Sequence, residues 1–67
     1  MIKAINLKVG DKITCKDSKD YLVIYNRNES PVRRLILREV NSLHNIVLFY
    51  DSDAEYAKNT FGIDLLG

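Results

Sequence analysis

The chain holds one cysteine, one histidine, one proline and three glycines, and each shortage removes a class of function. Cys15 has no second cysteine to pair with, so no internal disulfide can form. Cys15 and His44 together fall short of the four ligands of a structural zinc site. Nucleophilic catalysis needs a nucleophile, a base and a group that orients the base. Cys15 and His44 are the sole Cys/His pair, and nothing in their spacing brings them together. Gly10, Gly62 and Gly67 stand apart from one another, so there is no glycine-rich phosphate loop. Among the nine acidic residues no spacing marks out a general acid/base pair. The expectation is a protein that is not an enzyme and uses no cofactor or metal. Long apolar runs are missing too. Met1-Ile2-Lys3-Ala4-Ile5-Asn6 is too polar for a signal peptide, and no later stretch is long enough to span a bilayer. This predicts a cytoplasmic chain with no membrane partner.

What the sequence does contain is enough for one small core. With 67 residues, 46% of them apolar and 28% charged, the chain reads as a single globular domain over 1–67. A chain this short buries only roughly 60% of its unfolded surface, so its core needs nearly every apolar residue. Its richness in Ile, Asn, Lys and Tyr fits an AT-rich bacterial or phage genome. The net charge is only +1, yet the charges are unevenly distributed. Residues 1–38 carry nine lysines and arginines against four acids, whereas residues 39–67 carry one lysine against five acids. Such a layout favours a basic contact face or head-to-tail association.

Alternation of apolar and polar residues supplies the elements. Ile5, Leu7 and Val9 alternate up to Gly10-Asp11, which predicts a strand and a turn. Residues 12–17 read as a short second strand with Ile13 and Cys15 on one side, and Asp17-Ser18-Lys19-Asp20 as a turn. Tyr21-Leu22-Val23-Ile24-Tyr25 is the strongest strand signal, followed by a polar loop that ends at Pro31. Strands are also predicted over 32–40 and 46–50. Short strands at this spacing describe a mainly β (α+β) antiparallel meander of about five strands closing into a small barrel. Leu7-Lys8-Val9-Gly10-Asp11-Lys12-Ile13 resembles the first strand and turn of SH3-like small β-barrels of the KOW, Tudor or Sm type. That resemblance implies the barrel fold and no particular function.

The acidic segment Tyr50-Asp51-Ser52-Asp53-Ala54-Glu55-Tyr56 reads as a helix start. Ser52 and Glu55 have capping-box spacing, and Asp53 and Glu55 fall where the helix dipole favours negative charge. A calcium loop beginning at Asp51 would need glycine sixth and glutamate twelfth, but Tyr56 and Gly62 stand there. The predicted helix runs over 53–61, with Ala54, Ala57 and Phe61 inward and Gly62 as a left-handed cap.

One constellation carries a functional expectation. If Leu22, Ile24, Leu35 and Leu37 fill the core, alternation puts Tyr21, Tyr25, Arg34 and Arg38 on one outer surface. Aromatic rings interleaved with guanidinium groups suit a protein hot spot or single-stranded nucleic acid. The first expectation is a small stand-alone binding module that docks on, or inhibits, a larger protein partner through these four residues. The alternatives are a single-stranded DNA- or RNA-binding barrel, against which the near-neutral net charge counts, and a homo-oligomer. The last would pair edges through Ile46-Val47-Leu48-Phe49-Tyr50.

Overall fold

The computed structural model describes residues 1–66. Strand β1 (Ile2–Lys3) leads into a 3₁₀ turn (Ala4–Asn6). The strands β2 (Lys12–Thr14), β3 (Asp20–Arg27), β4 (Arg34–Glu39) and β5 (Asn45–Phe49) follow. A single helical turn, α1 (Ala54–Tyr56), then continues as a π-type turn over Ala57–Phe61 and ends at β6 (Ile63–Asp64). The main sheet is antiparallel in the order β2-β3-β4-β5, and β1 pairs with β6 in parallel. The mainly β architecture is as the alternation implies. The closed barrel is not: β2 and β5 are the two edges of an open sheet.

The missing closure starts with residues 5–9, which form no strand. Ala4–Asn6 is a 3₁₀ turn, and residues 8–11 make a tight turn in which Gly10 has φ 100°. There the Lys8 N–H donates to Asp11 Oδ2 at 2.8 Å and the Asp11 N–H to the Lys8 carbonyl at 2.9 Å. A local aspartate acceptor of this kind competes with a strand ladder for the backbone. The carbonyls of Ala4 and Leu7 instead accept from Asn26 Nδ2 at 2.9 and 2.8 Å.

Register decides which side of β3 is buried. Tyr21 lies opposite Glu39, Leu22 opposite Arg38 and Val23 opposite Leu37. A bulge follows, after which Tyr25 faces Ile36, Asn26 faces Leu35 and Arg27 faces Arg34. The inward set is therefore Tyr21 and Val23 before the bulge and Asn26 after it. Tyr21, Val23, Leu35, Leu37, Leu48 and Tyr50 are buried together with Ala57, Phe61 and Ile63. This corrects the expected core: Leu35 and Leu37 are in it, but Leu22 is exposed and Ile24 only half-buried. Tyr21, expected outside, is 2% exposed. Its ring meets Phe61 edge-on at 5.5 Å, and its hydroxyl donates to Asp17 Oδ2 at 2.6 Å. That bond removes the penalty for burying a phenol, and the ring contributes more apolar area than Leu22 would.

The helix is placed as expected, but its start is built differently. Asp53, not Ser52, is the first-position residue, and no side chain caps the turn. The Asp53 carboxylate reaches back to accept from the Phe49 N–H at 2.7 Å. The carboxylate thus stabilises the end of β5 and not the helix. Ala57 and Phe61 are buried, and Gly62 ends the segment at φ 69°, the left-handed cap read from the sequence.

The β4–β5 hairpin turns on Glu39, whose carboxylate accepts from the Ser42 N–H. That bond holds the Glu39 carboxyl below its ordinary pKa. A depressed carboxylate pKa stabilises the fold above the unfolded value of about 4.3, and the contribution vanishes as pH falls through the folded value. The melting temperature of the native protein should drop on acidification below about pH 5, and Glu39→Gln should melt lower at neutral pH with a shallower acid limb. Parallel acid limbs for the two proteins, followed by calorimetry, would show that Glu39 does not set this dependence.

Candidate functional site

The outer face of the main sheet follows from the same register. Arg34 pairs with Phe49, Ile36 with Val47 and Arg38 with Asn45 across β4 and β5. The Glu39 N–H donates to His44 O at 2.8 Å and the Tyr50 N–H to Arg33 O at 3.0 Å. Antiparallel ladders alternate, so the pairs in between are the non-hydrogen-bonded ones, where side chains approach most closely. Those close pairs are the outward ones.

Three rows cross this face. The central row is Tyr25, Ile36 and Val47; on one side lie Arg27, Arg34 and Phe49, and on the other Lys12, Leu22, Arg38 and Asn45. Leu22 is 36%, Val47 43% and Phe49 40% exposed. Ile36, Tyr25 and Arg34 are half-buried by their neighbours on the same face. Four cations therefore surround an apolar band. Of the two acids in the ladder, Glu39 lies on the inner side opposite Tyr21, and Asp20, paired with Thr14 at the β2 corner, accepts from Thr14 Oγ1 at 2.6 Å.

Each arginine is held differently. Arg34 lies over the Tyr25 ring with its guanidinium carbon 5.1 Å from the centroid. Arg38 Nε donates to Asn45 Oδ1 at 3.0 Å. Arg27 donates into the loop that follows it, to Glu29 O at 3.2 Å and Ser30 O at 3.1 Å. Arg33, on the opposite side of the strand, bonds Asp51 at 2.7 Å and Asn28 at 2.7 Å and lies over Tyr50. It is fully engaged in structure.

Of the four residues expected on the contact surface, Tyr25, Arg34 and Arg38 share this face and Tyr21 does not. Leu22, Arg27, Ile36, Val47 and Phe49 were outside the expected set. The alternation of Val47 and Phe49 around buried Leu48 is the signal that could have found the last two. Elsewhere, Asp51 pairs with Arg33, Asp53 with the Phe49 N–H, and Glu55 is exposed, so the three carboxylates of the acidic segment diverge. Cys15 is buried, and burial together with the charges of Asp17 and Asp20 pushes its thiol up to about 11, away from the reactive thiolate. His44 is exposed in the hairpin turn.

The two tyrosines should separate cleanly in stability. Tyr21→Ala removes a core ring and should cost about 3–5 kcal/mol, enough to unfold a domain this small. Tyr25→Ala should cost roughly 1 kcal/mol, since it loses the arginine contact and part of a half-buried ring. Circular dichroism melts of both variants check this, and equal losses would contradict the assigned faces.

No protein-family model matches the chain, and no curated protein or solved structure is detectably similar to it.

Proposed function

We propose that this protein is a small binding module that docks on a larger, acidic protein partner through the open face of its four-stranded sheet. One observation carries the reading: the apolar row Tyr25–Ile36–Val47 lies between two rows that hold Lys12, Arg27, Arg34 and Arg38 with no carboxylate among them. An apolar centre edged by arginines is how protein interfaces concentrate their binding energy. The unbalanced positive charge selects an acidic surface and speeds encounter with it.

The geometry favours this over the two alternatives. Stacking of bases needs free aromatic faces in series. Here Arg34 already covers the Tyr25 ring, and the centre of the face is aliphatic. Edge-to-edge assembly needs a row of open backbone groups along β5. The Phe49 N–H is taken by Asp53, and the Phe49 carbonyl accepts from the N–H groups of Ser52 and Asp53. Only Asn45 and Val47 keep outward-facing groups, a short and blunted edge.

The test is capture from nuclease-treated lysate, identification of the captured protein, and calorimetry with that protein purified. Val47→Asp and Ile36→Ser, each verified as folded, should weaken binding by about 2 kcal/mol or more if they lie in the centre of the interface. Affinity should fall only modestly with added salt. Unchanged binding in both variants, or capture that disappears with nuclease, would overturn the reading.

A further inference from the structure

Arg27 and Arg34 face each other directly across β3 and β4 on the outer side of the sheet. Like charges in this position repel and destabilise a sheet unless something neutralises them. Among the described residues no carboxylate pairs with either guanidinium. The ion pair present among the described residues, Arg33–Asp51, lies on the other side of β4. Arg27 leans into its own loop carbonyls, and Arg34 lies on Tyr25. Arg34 Nε is also buried with no hydrogen-bond partner, the one such side-chain atom among the described residues. The bonding capacity of the Arg34 guanidinium is therefore left for an acceptor that reaches its terminal nitrogens from outside.

The space for that acceptor is present. Tyr25, Arg27, Pro31, Val32 and Arg34 line a shallow depression of about 330 Å³ at this end of the face. Two cations supply its charge, while Pro31, Val32 and the Tyr25 ring supply apolar walls. Resting on the docking reading above, we infer that this depression is the anchor pocket of the face and takes one glutamate or aspartate side chain of the protein partner, flanked by apolar residues. The planar guanidinium of Arg34 matches a carboxylate in a two-pronged bond that a lysine could not reproduce. The apolar walls, continuous with the aliphatic row of Ile36 and Val47, favour a peptide over a bare phosphate.

The test follows the Nε–H resonances of Arg27 and Arg34 by NMR at constant ionic strength. The probes are acetyl-Leu-Glu-Leu-amide, acetyl-Leu-Gln-Leu-amide and inorganic phosphate. The glutamate peptide should move Arg34 saturably, and the glutamine peptide should bind about tenfold more weakly or worse, the worth of a charge-assisted hydrogen bond. Arg34→Lys should weaken the glutamate peptide by a similar factor. Val32→Asp, at a position 46% exposed, leaves the core untouched and should abolish the shift by placing a carboxylate in the pocket. Equal binding of both peptides, a shift that never saturates, or stronger binding of phosphate would overturn the inference. If the pocket fails while Val47→Asp still abolishes partner binding, the docking face stands without this anchor. If the pocket binds the glutamate peptide while Val47→Asp leaves partner binding intact, the docking face itself is wrong.

Discussion

Val23 lies opposite Leu37, but Tyr25 lies opposite Ile36, so β3 spends one residue more than β4 between those two pairs. An extra residue in one strand reverses which side chains face inward beyond it. Before the bulge the aromatic residue, Tyr21, is inside; after it the aromatic residue, Tyr25, is outside and Asn26 takes the inward place. Asn26 then does what an apolar residue could not. Its amide nitrogen holds the carbonyls of Ala4 and Leu7, and its oxygen accepts from the Tyr50 hydroxyl. One half-buried amide thus ties the N-terminal segment and the chain after β5 to the middle of the sheet, with both its donors and its oxygen engaged.

The bulge turns Arg27 outward, and plain alternation at the start of β4 separates two more basic residues. Arg33 and Arg34 are neighbours in sequence and point to opposite sides of the chain. Arg33 is consumed by Asp51, Asn28 and the Tyr50 ring, whereas Arg34 has a ring beneath it and no acceptor among the described residues. Four of the five acids of residues 39–67 are likewise occupied locally: Glu39 closes a hairpin turn, Asp51 pairs with Arg33, Asp53 seals the end of β5, and Asp64 accepts from the Leu66 N–H. Folding therefore does not mix the two charge halves into an even surface. It leaves the outer face basic.

Much of this was legible before any coordinates. The strands around Tyr21–Tyr25, Leu35, Leu37 and Leu48 follow from β-rich runs bounded by turn residues, and Gly62 as a left-handed cap follows from its place after Phe61. The faces of β3 were not legible, because Tyr21-Leu22-Val23-Ile24-Tyr25 is apolar on both sides and alternation cannot rank them. The choice is made by Asp17, which satisfies the buried Tyr21 hydroxyl, and by a bulge that no residue type announces. The false strand at 5–9 had the right alternation, but Asp11 and Asn26 took its backbone groups. The Ser52 cap had the right spacing, yet the helix start is fixed by the turn at the end of β5.

The place of Tyr25 and Arg27 on the outer face depends on the register shift, and cross-strand nuclear Overhauser effects measure it directly. The Tyr25 ring should show contacts with the Ile36 methyls and the Arg34 side chain, and the Asn26 amide protons should show contacts with the Tyr50 ring. Contacts from the Tyr25 ring to Leu35 and Leu48 would mean an unbroken β3 register, with Tyr25 in the core and neither Tyr25 nor Arg27 on the docking face.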